Sequence, residues 1–300
     1  MAIELSPDAT ALGWDVAGYA AFSDHRLRPA LDLLNRAAPL VQGAGSGQAS
    51  GQASGQASGH GGEQGAGRVV DLGCGAGAVA PALRSQFPVG QWVLTGVDPS
   101  AAMRAQAEAG GAYDEVLASD ALGYATSVKD GSHPRPNLIF SNAALHWARD
   151  HDTLFPQLVS ALAKNGVIAV QMPRQQSARA QRLLHDTAHR LAPDHVPQVP
   201  LPRVAPPGHY AVMLAPLCSH VEVWETEYFQ RMHRQTPGHH PIRAFSETTA
   251  ARPYRQVLEP LGLLEAYDRA VEDGLNDAYP LDASGTCWYP FRRLFLLAAQ

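Results

Sequence analysis

Residues 69–77 read Val69-Val70-Asp71-Leu72-Gly73-Cys74-Gly75-Ala76-Gly77, an apolar run that ends on an acid and breaks into alternating glycines. A short apolar run stopped by glycine is the pattern of a buried strand, and the Ala/Val/Leu stretch that follows suits a helix. The turn between them is almost without side chains. Glycine costs roughly 0.5–1 kcal/mol relative to alanine inside regular structure, so three in alternation imply that the backbone must come close to something. Strand, glycine turn and helix together make the corner where open α/β sheets bind ligands. The bare pattern also suits a dinucleotide. Asp71 separates the two readings, because a buried acid would repel a pyrophosphate and needs donors of its own. Loop amides or the ammonium of an amino-acid-like ligand would supply them.

The same alternation continues outward. Strand QWVLTGVD is followed by a helix from Pro99 to Ala109, a short strand near EVLAS, the apolar run NLIFSN, a helix near 151–163 and strand GVIAVQM. Strands alternating with helices mean βαβ units, a parallel sheet and helices on both faces. Beyond Pro173 the order loosens. QSARAQRLLHDTAHRL has an amphipathic helical pattern, and VPQVPLPRVAPPGH is a proline-rich connection. VEVWETEYF and CWYPFRRLFLLAA alternate like two closing strands, which would add an antiparallel edge to the sheet. Before the glycine turn, residues 26–41 place Leu27, Leu31, Leu34 and Ala38 on one helical face. Residues 43–67 then carry GQAS three times in tandem, too polar to bury surface, and read as a flexible low-complexity insert.

Composition narrows the function. The chain of 300 residues carries 23 Lys and Arg against 28 Asp and Glu, with no basic run, so binding to nucleic acid through phosphates is not expected. Cys74, Cys218 and Cys287 form no C-x-x-C pair, which argues against a zinc site or a disulfide framework. The N-terminus lacks a signal-peptide pattern and no apolar run reaches membrane-spanning length, so a cytoplasmic protein without a membrane partner is expected. His233, His239 and His240 lie in a Pro/Gly-rich loop without the spacing or carboxylates of a metal site, and no metal is assigned.

Three further acids and amides sit at strand ends. Asp98, closing the second strand in Val97-Asp98-Pro99-Ser100, can accept both hydroxyls of a ribose; its plainer role is a helix cap. Asp120, past the third strand, is positioned for an adenine edge or is an ordinary turn acid. Asn142, in Ser141-Asn142-Ala143 after the fourth strand, could line the gap between cofactor and substrate or simply turn the chain.

The set DLGCGAG, GVDPS, SDA and LIFSNAALHW, in that order, resembles the S-adenosylmethionine-dependent methyltransferases with a seven-stranded Rossmann-like sheet. Within them the chain is most similar to the trans-aconitate 2-methyltransferase family. WDVAGYAAFSDHRLRPALDLL, NAALHWARDHDTLFPQLVSALAKNGVIAVQMP, ARPY and YPFRRLFLLA carry that likeness, which covers nearly everything but the GQAS insert. The chain departs from the family after Met172-Pro173, with Arg174-Gln175-Gln176 where an acid and an asparagine are usual, and again in RMHRQTPGHHPIRAFSETTA.

The resemblance implies one methyltransferase domain over residues 1–300. Its fold would be α/β, a mostly parallel seven-stranded sheet with one antiparallel edge strand, helices on both faces and a helical substrate cap within 174–286. S-adenosyl-L-methionine would be the co-substrate. Asp71, Gly73 and Gly75 would meet its methionine portion, Asp98 its ribose and Asp120 its adenine, with Asn142 nearby and Trp14 and Tyr19 closing over it. His146 and Trp147 would face the reaction centre. Arg252, Tyr254 and Tyr289, with Arg28 and Arg174 behind them, are the candidates for binding a small polycarboxylic acid, whose carboxylate would be esterified. Two other readings stay open: a methyltransferase acting on oxygen or nitrogen of another small metabolite, and a cofactor-binding protein without turnover. A monomer is expected.

Overall fold

The computed structural model describes residues 23–46, 66–148, 150–196 and 204–300. Among them a seven-stranded sheet has the order β3-β2-β1-β4-β5-β7-β6. The strands are β1 (Gly67–Leu72), β2 (Trp92–Val97), β3 (Glu115–Leu117), β4 (Leu138–Asn142), β5 (Val167–Pro173), β6 (His220–His233) and β7 (Thr286–Ala299). The first five pair in parallel: Asp71 stands opposite Gly96 on β2 and Phe140 on β4, and Phe140 stands opposite Ala169 on β5. β4 and β5 are buried along almost their whole length, as expected of central strands covered on both faces.

The closing strands refine the expected antiparallel edge. The Gln300 amide donates to Gly166 and the Arg174 amide to Arg292, so β7 runs against β5. Ser219 donates to Ala299 and Arg234 to Gly285, so β6 runs against β7 in turn. The reversed strand is therefore β7, one place inside the edge, and β6 forms the edge itself.

Helix α1 (Ser23–Ser46) is longer than the apolar pattern of 26–41 and has Pro29 and Pro39 within it. It buries Ala30, Leu33, Leu34, Ala37, Ala38 and Val41, while Leu27 and Leu31 are only half-buried. Small alanines let this face pack closely, so the buried stripe is rotated from the one that the leucines alone suggested. Of the insert expected over 43–67, residues 43–46 belong to α1 and Gly67 begins β1, while residues 47–65 lie outside the described residues. The helices between the strands are α2 (Ala80–Gln86), α3 (Ala101–Ala109), α4 (Ala121–Lys129) and α5 (His151–Ala161).

Beyond β5 come α6 (Arg179–Leu191), α7 (Pro207–Leu214), α8 (Pro241–Glu247), α9 (Arg252–Leu258) and α10 (Leu264–Ala278). The chain divides into two compact units. The first is Arg26–Met172 with Ala205–Trp224 and Phe295–Gln300, and it contains β1 to β4 and all but the last residue of β5. The second includes Pro173–Val204 and Glu225–Leu294. Its core gathers Leu184 and Ala188 of α6, Ile242 and Phe245 of α8, Val271 and Leu275 of α10, and Tyr289 of β7. Arg243 of α8 reaches Glu247, Asp268 and Glu272, and Arg255 of α9 reaches Glu247 and Asp268, tying the two short helices α8 and α9 to the longer α10.

Candidate active site

The glycine turn closes over the carboxyl end of β2: the amides of Gly73 and Cys74 both donate to the Val97 carbonyl, at 2.7 and 3.1 Å. Gly73 has φ +76°, and a Cβ built there would lie 2.2 Å from the Cβ of Ala144. What approaches the backbone at this glycine is the chain itself, where it leaves β4. Gly75 differs. Its φ is +55°, and a Cβ there would meet nothing within 4 Å. That open side, beside an exposed turn, is where a ligand can touch the main chain.

Asp98 is buried and holds the turn from below. Its Oδ2 accepts from the Gly75 amide at 2.9 Å and its Oδ1 from the Ser100 amide at 2.8 Å. Arg104 Nη1 donates to the Asp98 carbonyl at 2.9 Å, while Ser100 makes no side-chain cap for α3. A carboxylate oxygen has two lone pairs, so one amide on each leaves capacity for further donors such as ribose hydroxyls.

Asp71 is almost wholly buried, and its partner is one that the sequence did not suggest. The Tyr113 hydroxyl donates to Asp71 Oδ2 at 2.7 Å. Burial pushes the Asp71 carboxyl up to about 7; the nearby charge of Asp98 adds to this and the phenol opposes it. The same burial raises the Tyr113 phenol and the Cys74 thiol, so both stay protonated. Asp71 is thus satisfied by a phenol rather than by loop amides.

Asp120 caps α4, with Oδ1 accepting from the Gly123 amide at 2.7 Å. Asn142 ends β4, and its Oδ1 is buried with no hydrogen-bond partner. Next to it, Ala143 adopts φ +52°, unusual for a residue with a side chain, and donates its amide to the Gln171 carbonyl at 2.9 Å. His146 and Trp147 follow in a 3-10 turn, Leu145–Trp147, with ring centroids 4.8 Å apart. His151 pins that turn: its Nε2 meets the Leu145 carbonyl at 2.9 Å and its Nδ1 the Tyr210 hydroxyl at 2.6 Å. Burial lowers the His151 pKa, favouring the neutral ring, which donates from Nε2 and accepts from the phenol at Nδ1.

The structure therefore gathers Asp71, Gly73, Gly75, Asp98, Asn142 and the His146-Trp147 turn in one unit, at the carboxyl ends of β1, β2 and β4 and on the turns that follow them. An open flank at Gly75, spare acceptor capacity on Asp98 and an unpartnered oxygen on Asn142 suit a ligand with a ribose and an ammonium. Trp14 and Tyr19 lie outside the described residues.

The acid-binding candidates are dispersed. Arg28 is exposed on α1 and pairs with Asp32 at 2.8 Å. Arg174, Arg252, Tyr254 and Tyr289 belong to the second unit. Arg174 pairs with Glu225 at 2.9 Å, and the Tyr254 hydroxyl meets His185 Nδ1 at 3.3 Å. Arg252 begins α9. Tyr289 is completely buried against Phe245, Tyr279 and Phe291. His233, His239 and His240 each meet protein groups: Thr286, Glu247 and the Tyr279 carbonyl respectively.

A family model described as a methyltransferase domain matches residues 22–236. The trans-aconitate 2-methyltransferase of Azoarcus sp. (strain BH72) is 35% identical over 293 residues, covering 96% of this chain and 99% of that protein. The trans-aconitate 2-methyltransferase of Methylobacterium nodulans is 32% identical over 293 residues, covering 96% and 98%. Among solved structures, the YcgJ protein of Bacillus subtilis aligns with a TM-score of 0.46 at 15% identity, over 78% of this chain and 92% of that one.

Proposed function

Because this chain belongs to the methyltransferase-domain family and is an S-adenosylmethionine-dependent methyltransferase, we propose that it esterifies a carboxylate of a small polycarboxylic acid, with trans-aconitate the first candidate. The observation that carries this reading is the extent of the likeness. Identity of 35% runs over 96% of the chain, so it takes in residues of both units and not the glycine turn alone.

The methyl donor supplies an electrophilic carbon on a sulfonium. A carboxylate oxygen attacks that carbon in line, the carbon–sulfur bond breaks with its electron pair left on sulfur, and an ester and a neutral thioether result. A carboxyl with a pKa of about 4 is already ionised near neutral pH, so no general base is required. The site fits that economy. Burial raises the Asp71 carboxyl and keeps the Tyr113 phenol and the Cys74 thiol protonated, and Asp71 is engaged by the Tyr113 hydroxyl. Alignment of the two reactants can supply roughly 7–11 kcal/mol of the barrier reduction.

The residue roles follow from the chemistry of each group. Asp98 receives the ribose hydroxyls on the lone pairs left by Gly75 and Ser100, and the open flank of Gly75 lies along the methionine portion. Asn142 Oδ1 accepts from its ammonium. Asp120 keeps one oxygen on its helix and offers the other toward the adenine. His146 and Trp147 border the acceptor, on a turn that His151 holds still. Arg252, a bidentate donor suited to carboxylates, takes an acid group that does not react. We read residues 174–286 as containing the substrate cap within a single catalytic domain, acting as a monomer in the cytoplasm. No helix among the described residues is long and apolar enough to cross a membrane.

The test is turnover. The purified chain, given S-adenosylmethionine and a panel of trans-aconitate, cis-aconitate, isocitrate and citrate, should release demethylated donor with at least one acid. Release with none of them would end the carboxylate reading.

A further inference from the structure

Strand β5 is apolar except at Gln171, which is completely buried near its carboxyl end. Neither Oε1 nor Nε2 of its amide has a hydrogen-bond partner. Opposite it in the β4–β5 register stands Asn142, whose buried Oδ1 is also without a partner. Residues in register on parallel strands project from the same face, and side chains two apart share a face. Asp71, Phe140 and Ala169 form one such row across β1, β4 and β5. Asn142 and Gln171 form the next row toward the carboxyl ends, on the face that carries Asp71. Carboxyl ends of strands are where open α/β sheets bind ligands.

A buried amide with no partner opposes folding, and nearly all such groups in folded proteins are paired. A methionine would fill the same volume at no polar cost. Three unmet polar atoms on two register partners of adjacent strands are a reason to look for a ligand that would complete the hydrogen bonding.

We propose that Gln171 positions the acceptor: its Nε2 donates to one oxygen of the carboxylate being methylated, leaving the other oxygen aimed at the methyl carbon. This rests on the carboxylate reading above. The choice of a neutral amide has a physical reason. The carboxylate loses its charge as it becomes an ester, so a cation bound to it would stabilise the starting state more than the transition state and slow the reaction. An amide N–H orients the group without that penalty and still bonds the carbonyl oxygen of the ester. Arginine suits the carboxylates that stay charged; glutamine suits the one that does not.

Two variants of the full chain test this. In Gln171→Met, the melting temperature without ligand should match or exceed wild type, because unmet polar atoms have been removed. Donor Kd by calorimetry should stay within about twofold, while kcat/KM for the best acid falls about ten- to a hundredfold. In Gln171→Glu, a buried carboxylate would repel the acceptor at pH 8. Its activity relative to wild type should recover toward pH 6 as burial lets it protonate. A melting temperature several degrees lower in Gln171→Met would make the residue structural and overturn the proposal. Donor affinity lost with acid kinetics unchanged would reassign it to the donor. Unchanged kinetics in both variants would remove it from the site. A wild-type chain that methylates no acid would sink the carboxylate reading and this role together, whereas normal wild-type turnover with unaffected variants would sink this role alone.

Discussion

Asp98 and Gly75 are joined by a hydrogen bond of 2.9 Å from the glycine amide to the carboxylate, so the acid that ends β2 also fixes the turn that follows β1. The two motifs lie 23 residues apart in the chain and are one device. Replacing Asp98 by alanine should therefore do more than remove ribose contacts. Losing a charge-assisted bond to a partly buried amide costs about 1.5–3 kcal/mol, and donor affinity should fall by at least tenfold. Titration calorimetry with S-adenosylmethionine and its demethylated product checks this, and equal affinity would take Asp98 out of the site.

Gly73 and Gly75 should respond differently to alanine. At Gly73 a Cβ would lie 2.2 Å from that of Ala144, in a left-handed backbone, so Gly73→Ala should lose on the order of 2 kcal/mol or more in denaturant unfolding. Adding Ala144→Gly should restore part of that loss. At Gly75 only the backbone strain applies, so Gly75→Ala should cost about 1 kcal/mol of stability. Its open flank faces the proposed donor, and donor affinity should fall further than stability does.

Stability should also report the Asp71–Tyr113 pair. The Asp71 carboxyl stands at about 7 when folded against 3.8 for the ordinary group, so between those values the folded chain binds the extra proton. Its contribution is therefore fully present below pH 4 and is lost as pH rises through 7, up to ~4 kcal/mol for three units. Asp71→Asn should flatten that decline between about pH 4 and 7. Tyr113→Phe removes the bond that opposes the shift and should move the decline to higher pH. An identical pH profile in wild type and Asp71→Asn would refute the buried-acid assignment.

Arg252→Met should lower kcat/KM for the best polycarboxylate about ten- to a hundredfold, by loss of a charge-assisted bond. Donor affinity should hardly change, because the groups proposed to hold the donor, Gly75, Asp98 and Asn142, do not include Arg252. A loss confined to acids with two or more carboxylates would identify the group it binds.

The succession of strands and helices along the chain was readable because each βαβ unit announces itself locally, by an apolar run stopped at Gly73, at Asp98 or at Asn142; their order across the sheet was not. Asp98 could be named for the same reason: an acid at a buried strand end has few plain explanations. Tyr113 could not, since the residue that satisfies Asp71 comes from a turn 42 positions away and follows no pattern. Gln171 did leave a signal, a lone amide in GVIAVQM, but its meaning depends on standing opposite Asn142, which only the register reveals. A helical cap within 174–286 was expected without its individual helices; α8 and α9 have only seven residues each, too few for a periodic pattern, and are tied to α10 by the Arg243 and Arg255 ion pairs and shared apolar contacts. Tyr289, expected from the sequence as a substrate contact, is completely buried in that core.

The central claim is that the methyl group ends on a carboxylate oxygen. The most direct measurement is the alkali lability of the product formed from methyl-labelled S-adenosylmethionine and each acid of the panel. A methyl ester should release its label as methanol in mild base, in amounts equal to the demethylated donor formed, with trans-aconitate the preferred substrate. Label that survives base treatment, as in an ether or a methylated amine, or donor binding with no labelled acid at all, would contradict the account.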